Sequence, residues 1–330
     1  MRSPWRNIAR VNDLTEQIAA QYRRFAEVEA HGSSPLYEAF ALGVAADAFA
    51  REFLQALPNV KRQPNLLFAA LRHVCGTPVD WPTFRAQLHA HATEIRATML
   101  ERRTQTNEPG RCATLLPALA RLPQPLALLE VGAAAGLCLL PDRYGYAYGA
   151  CGLAPPSADA PVFACRANDA TPIPHGHVRV AWRLGLDLHP LDVTDPEHSA
   201  WLETLVWPEH AARLQCLRAA LATARRDPPG VVQGDLLRDL GSYALQAPSA
   251  ATLVVYHSAV LAYVAEAELR EQFASAVRST GAVWISNEAP GVFRSIAAPR
   301  GPRGAFLLSL NGVPQAWTDP HGNWIEWINE

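Results

Sequence analysis

The chain has 330 residues with a formal net charge of −2; 49% are hydrophobic and 18% charged. That is enough apolar residue to bury a sizeable core, which excludes a disordered, collagen-like or low-complexity chain. The length exceeds the roughly 100–200 residues of one domain, and the charge balance gives no long-range attraction to nucleic acid or an anionic membrane, so neither is expected as a partner. Of the 29 basic residues only Lys61 is a lysine, an imbalance that coding bias in a GC-rich genome explains without a ligand. No stretch of about 18 apolar residues is present to span a membrane, and the N-terminal residues lack the apolar core of a secretory signal. The six cysteines include no closely spaced pair, which argues against zinc or iron–sulfur ligation. The expectation is a cytoplasmic protein with reduced thiols and no metal.

Residues up to about 122 read as helices. Apolar residues recur at helical spacing from Ile8 to Ala30. Ser34-Pro35 opens a second helix through Leu36, Phe40 and Val44, with Ser at the cap and Pro in the first turn. Further helices are predicted over 65–74, 83–103 and 110–122. Leu126–Val131 is a short continuous apolar run ending at a glycine, the pattern of a buried parallel strand. A brief helical stretch after Gly136 and a Gly-, Tyr- and Pro-rich insertion over about 143–176 follow. Strand candidates at 177–189, 231–235 (a short strand with a turn), 252–257 and 282–286 then alternate with helices at 197–226, 236–246 and 266–279. Such alternation means βαβ units and a mostly parallel sheet. Phe306–Leu310, the Asn311-Gly312 turn and Val313–Trp317 predict a hairpin near the end.

The sharpest local signal is Glu130-Val-Gly132-Ala-Ala134-Ala-Gly136. A strand ends, glycine permits a tight turn, and a helix N-terminus is expected to meet a polar ligand group; the alternative is an ordinary strand-to-helix turn. The spacing resembles motif I of the class I S-adenosylmethionine-dependent methyltransferases, with Ala134 where the middle glycine usually sits. Asp187 closes the next strand, where a carboxylate accepts from ribose hydroxyls. It lies 51 residues after Gly136, an excess that the insertion accounts for; otherwise it caps a turn. Asp235 follows another short strand, where the methyltransferase pattern contacts the adenine amino group, or where an Asp caps the next helix. His257 and Ser258 end the strand 252–257, at the edge where open α/β sheets bind ligands. His257 is read as a base or acceptor-orienting group, with a satisfied core histidine as the alternative. Lys61 and Asn65 precede one helix, and Asn107, Glu108 and Arg111 another; they are read as binding residues contributed from the cap side, or as a solvated loop and a cap cluster.

Several phrases occur in order: Tyr22-Arg-Arg-Phe25, Ser34-Pro-Leu-Tyr37, Lys61-Arg-Gln-Pro-Asn65, Asn107-Glu108, Asp142-Arg-Tyr-Gly-Tyr146, Trp207-Pro-Glu-His210, His257-Ser258 and Ser286-Asn-Glu288. Together they resemble the uncharacterised bacterial family called domain of unknown function 2332. The resemblance runs from about Tyr22 to the C-terminus, and the family's usual description is methyltransferase-like. It implies a Rossmann-like class I methyltransferase sheet, mostly parallel with an antiparallel C-terminal hairpin, over residues 106–330, and an all-helical cap over 1–105. The expected cofactor is S-adenosylmethionine, held by Glu130, Gly132, Ala134, Gly136, Asp187 and Asp235. Lys61, Asn65, Asn107, Arg111 and Ser258 would bind a small-molecule acceptor through oxygen or sulfur, with His257 and Glu108 catalytic. Two alternatives stand: a non-catalytic ligand-binding or regulatory protein with the same fold, and an enzyme of other chemistry that pairs His257 with Glu108 or Glu288.

Overall fold

The computed structural model describes residues 4–105 and 107–328, with side chains from Leu14 onward. Thr106 and the side chains of Ile8 and Val11 lie outside the described residues. The chain forms two compact units.

The first unit is helical. It comprises the described residues up to 105 together with Ala200–Leu214. Helix α1 (Pro4–Phe25) runs into a π-helical turn over Ala26–Ala30; α2 (Pro35–Ala46), α3 (Ala48–Gln55), α4 (Pro64–Cys75), α5 (Trp81–Ala90) and α6 (Ala92–Glu101) follow. The single helix predicted over 83–103 is broken at His91, whose backbone leaves the helical region (φ −119°, ψ 28°). The N-terminus of α2 is capped as its sequence predicts, Ser34 Oγ accepting from the Tyr37 amide at 3.1 Å. A second cap comes from far along the chain. Glu209 accepts from Ser34 Oγ (2.6 Å) and from the Leu36 amide (3.0 Å), placing a carboxylate at the positive end of the helix. The core is an aromatic cluster in which Tyr37 meets Phe68 edge-on (4.9 Å), Phe40 packs on Phe84 (4.6 Å) and Trp207 packs on Tyr37 (5.3 Å). Arg72 fastens this return segment, donating to the carbonyls of Thr204 and Val206 and to Tyr37 Oη.

The second unit comprises residues 107–199 and 215–330. After α7 (Arg111–Ala120), β1 (Leu126–Val131) is buried along its whole length. It is the middle strand of the parallel half of a nine-stranded sheet of order β5-β12-β11-β10-β9-β8-β1-β6-β7. The insertion supplies β2 (Gly145–Tyr148), β3 (Cys151–Leu153) and β4 (Val162–Ala164), a small separate sheet, and then β5 (Arg166–Ala167). Strand β6 (Val180–Asp187) precedes α8 (Pro196–Leu205) and α9 (Ala211–Arg226); β7 (Val231–Gln233), α10 (Leu240–Ala244), β8 (Thr252–Ser258), α11 (Ala267–Ser279) and β9 (Val283–Glu288) follow. The last strands, β10 (Phe306–Leu310), β11 (Val313–Thr318) and β12 (Trp324–Trp327), form an antiparallel meander on β9. Strands β7, β6, β1, β8 and β9 are all parallel. The helix predicted over 197–226 is two helices, separated around Trp207-Pro208, because proline's fixed φ and missing N–H interrupt the helical ladder. Among the described residues no helix is long and apolar enough to cross a membrane.

From β1 the chain builds outward to β6 and β7 on one side, then to β8 and β9 on the other. The topological switch point therefore lies at the C-terminal ends of the adjacent strands β1 and β8, where open α/β sheets bind their ligands.

Replacing Arg72 by alanine removes four hydrogen bonds within the helical unit, three of them to Tyr37 and the return segment. The expected loss of unfolding free energy is about 2–4 kcal/mol, read as a lower midpoint in urea.

Candidate functional site

The turn that leaves β1 is tightly constrained. Gly132 has φ +73°, and a Cβ there would lie 1.9 Å from Val260 Cγ2 in the segment after β8. Only glycine lets these two chain segments meet. Ala134 stands where the methyltransferase motif has its middle glycine, and it keeps a glycine-like backbone (φ 50°) at a cost of about 1–2 kcal/mol. Asp187 at the end of β6 offsets that cost by accepting from the Ala134 amide (2.8 Å) and from the His189 amide (2.8 Å). The Ala134 carbonyl in turn accepts from the Leu191 amide at 3.0 Å. A second alanine with positive φ, Ala259 (58°), follows β8, so two left-handed alanines flank the switch point.

The helix expected after Gly136 is absent. A three-residue 3-10 turn, Leu137–Leu139, takes its place, and the crossover to β6 is made through the small sheet. The Tyr-rich insertion dictates this route: Tyr144 Oη donates to the Leu137 carbonyl, Tyr146 Oη to Pro141 and Tyr148 Oη to Ala113. These bonds satisfy buried hydroxyls and hold the insertion down where a helix would otherwise lie. No helix dipole faces the loop, and most of the loop amides are spent internally. Those of Gly132 and Ala133 donate to the Leu186 carbonyl, that of Gly136 to Ala133, and that of Leu137 to Asn107 Oδ1.

Strand alternation puts Glu130, Tyr256, Ser258 and Asn287 on one face of the sheet and His257 and Glu288 on the other. On the second face His257 is fully buried among Phe273, Trp284 and Phe293. Its Nδ1 donates to Glu288 Oε1 (2.8 Å) and its Nε2 accepts from the Trp284 indole (3.1 Å). With both ring nitrogens used and no exposed surface, His257 has no site for a ligand proton. The geometry gives it the satisfied-core role rather than that of a base. Glu288 Oε1 also accepts from the Val260 and Leu261 amides, so this buried pair fixes the segment that packs on Gly132.

The first face carries the polar cluster. Arg111 at the start of α7 donates from Nε to the Pro320 carbonyl (2.8 Å) and from Nη1 to the Ser258 carbonyl (3.1 Å). Ser258 Oγ accepts from Asn287 Nδ2, and Asn287 Oδ1 accepts from Thr318 Oγ1. Glu108 is buried, with Oε1 on the Gly110 amide and Oε2 3.6 Å from Nδ1 of His321. Glu130 is 5% exposed and its Oε2 has no hydrogen-bond partner. Burial pushes its carboxyl well above the usual range, reinforced by Cys138 and Asp187 and opposed by Arg111. Asp235 Oδ1 accepts from the Leu237 and Arg238 amides and so closes a turn; the helix expected from Leu236 begins only at Leu240, with Asp239 at its cap position.

Asn107, Glu108 and Arg111 belong to the sheet unit, whereas Lys61 and Asn65 belong to the helical unit. There Lys61 is buried and donates to the Arg102 carbonyl at 2.7 Å, and Asn65 Oδ1 accepts from the Trp207 indole at 3.0 Å. Both side chains brace their own unit. Sequence reasoning missed His321, Asn287, Thr318 and Val260. A histidine inside the Asp319-Pro-His321-Gly322 turn was the available signal, since a turn residue with a titratable ring is a recurrent site device.

A match to the bacterial family described as uncharacterized protein conserved in bacteria (DUF2332) runs over residues 19–327. The chain belongs to this family. Among curated proteins and among solved structures, nothing matches it.

Glu288→Ala would leave the His257 ring and two backbone amides unpaired in the interior. It is expected to cost about 3–5 kcal/mol in urea unfolding, while His321→Ala, at an exposed turn, changes stability by less than about 0.5 kcal/mol. Glu130 supplies a pH signature. A carboxyl raised in the folded state contributes stability below the usual carboxylate pKa and loses it as pH rises toward the folded value. Glu130→Gln removes that loss, so its stability relative to the parent should rise from pH 5 to pH 8, by up to about 1.4 kcal/mol per pH unit over the titrating range. Equal differences at both pH values would contradict this.

Proposed function

We propose that this chain is an S-adenosylmethionine-dependent methyltransferase of the Rossmann-like class I fold, acting on a small oxygen or sulfur acceptor. The observation that carries the reading is the chemistry of the loop after β1. It offers carboxylate acceptors beside it and almost no free amide donors. A dinucleotide needs its pyrophosphate on a helix N-terminus. Here the element after the loop is a three-residue turn, and most of the loop amides are already spent. S-adenosylmethionine has no phosphate, and its ribose and adenine present donors.

The parallel order β7-β6-β1-β8-β9 supports the same reading, because it is the 3-2-1-4-5 order of nucleotide-binding α/β sheets. Asp187 and Asp235 end or follow β6 and β7, the strands next to β1 on the nucleoside side. The residues present therefore fit the nucleoside part of the group. Asp187 would hold the ribose hydroxyls and Asp235 the adenine amino group, over the backbone of Gly132, Ala134 and Gly136. The unpartnered Glu130 oxygen adds one more buried acceptor at the same edge. When bound, S-adenosylmethionine supplies a methyl carbon activated by a sulfonium, so the protein's task is alignment and, for a protonated acceptor, removal of a proton.

One observation favours a second reading, a ligand-binding or regulatory protein of the same fold. Val260 covers Gly132, and Ala133–Ala135 are almost wholly buried, which narrows the backbone surface open to a ligand. Titration calorimetry separates the two. The transferase reading expects S-adenosylhomocysteine to bind where NAD does not, and Asp187→Ala to weaken that binding about tenfold or more, equivalent to about 1.4 kcal/mol. No heat with millimolar S-adenosylhomocysteine overturns the cofactor assignment and leaves the second reading.

A further inference from the structure

We propose that His321, oriented by Glu108, is the proton acceptor of this site, and that its substrate is a neutral or cationic molecule whose nucleophile carries an O–H or S–H proton. The transfer itself rests on the methyltransferase reading; the histidine assignment rests on geometry within the sheet unit.

Two stretches more than two hundred residues apart are pressed together backbone to backbone. A Cβ on Gly322 (φ +89°) would lie 2.0 Å from the Gly110 carbonyl oxygen, and one on Gly110 would lie 2.6 Å from the His321 carbonyl oxygen. Glycine at both positions lets the turn between β11 and β12 seat on the Glu108–Arg111 segment. Arg111 locks the seat through its bond to the Pro320 carbonyl. Asp319 Oδ1 accepts from the His321 and Asn323 amides and from Asn323 Nδ2, which closes the turn from within. The strand directions place this turn at the C-terminal edge of the parallel strands, because Thr318 pairs with Phe306, next to the Leu307–Glu288 pair. Arg111 then ties it to Ser258 at the end of β8, one side of the switch point.

The result is an imidazole whose side chain is 44% exposed, with Nδ1 3.6 Å from a carboxylate that is 7% exposed. A carboxylate beside Nδ1 selects the tautomer protonated at Nδ1 and leaves the Nε2 lone pair outward. Among the described residues no hydrogen bond reaches Nε2. The charged groups around the ring are Glu108 from the loop before α7, Asp319 from its own turn, and Arg111, which donates to two backbone carbonyls. The carboxylate beside the ring disfavours an anionic acceptor, and Arg111 is already committed. In the step, the acceptor oxygen or sulfur forms its bond to the methyl carbon as the methyl–sulfonium bond breaks. The bonding pair stays on the departing sulfur, which becomes a thioether. The acceptor proton passes to Nε2, and Glu108 stabilises the resulting imidazolium. His257 takes no part, since it is buried on the opposite face with both nitrogens bonded.

Long-range proton–nitrogen NMR of the ligand-free full chain tests the assignment. With the ring neutral, His321 is expected as the Nδ1–H form, and Glu108→Ala is expected to return it to the commoner Nε2–H form. Diethyl pyrocarbonate supplies a second measurement on the parent protein. Mapped peptide by peptide, His321 should be modified at least as fast as the more exposed His31, with His257 unmodified. An Nε2–H ring in the parent, a tautomer insensitive to Glu108→Ala, or a His321 left unmodified while His31 reacts would each overturn the proposal. Calorimetry with S-adenosylhomocysteine keeps the two failures apart. His321→Gln is expected to bind it as the parent does, so a parent that fails to bind sinks the cofactor reading while the tautomer result stands alone.

Discussion

The contact between the turn after β1 and the segment after β8 sets the geometry of the whole candidate site. Val260 sits where any side chain at position 132 would have to go, so the two strand ends at the switch point are locked together through a glycine. Glu288 holds the Val260 side of this contact from below, by its bonds to the Val260 and Leu261 amides, and His257 holds Glu288. Asp187 holds the β1 side through the Ala134 amide. Two carboxylates, one on β6 and one on β9, thus brace the segments that carry two alanines in a backbone conformation that costs energy, and the strain is concentrated at the switch point.

Each face buries a carboxylate with one unpartnered oxygen. On the His257 face that oxygen is Glu288 Oε2, while Oε1 carries the bonds and aromatic rings enclose the pair. On the Arg111 face Glu130 keeps an orphan oxygen, and Glu108 meets a histidine that reaches solvent. Incomplete satisfaction in a buried polar cluster is costly unless something is gained from it.

The alternation of short apolar runs with helices made the parallel sheet legible. Leu126–Val131, Thr252–Ser258 and Val283–Glu288 fall at or near the predicted strands, because a strand buried on both faces must be apolar throughout. The Ser34-Pro35 helix start was legible for the same local reason, its cap being made by neighbours in sequence. The phrase around Trp207–His210 stood out in the sequence, and its partner emerged only in the fold, where Glu209 caps α2 from 173 residues away. The helix after Gly136 was misread because small residues after a strand favour a helix start, whereas three tyrosine hydroxyls from the insertion claim that space. His257 was misread because a strand-end histidine looks the same in sequence whether its ring faces the ligand edge or a wall of aromatic side chains.

The sequence by itself determined the mostly parallel class of the sheet, the glycine turn that ends its first strand and the family to which the chain belongs. These follow from local composition, from hydrophobic period and from phrases that persist in order. Tertiary structure alone decided which titratable groups are available. It spent most of the loop amides, buried His257 against Trp284 and Glu288, and brought Glu108 to His321 across a glycine contact. Proton availability depends on burial and on partners that arrive from distant strands, and neither is encoded in the spacing of residues along one segment.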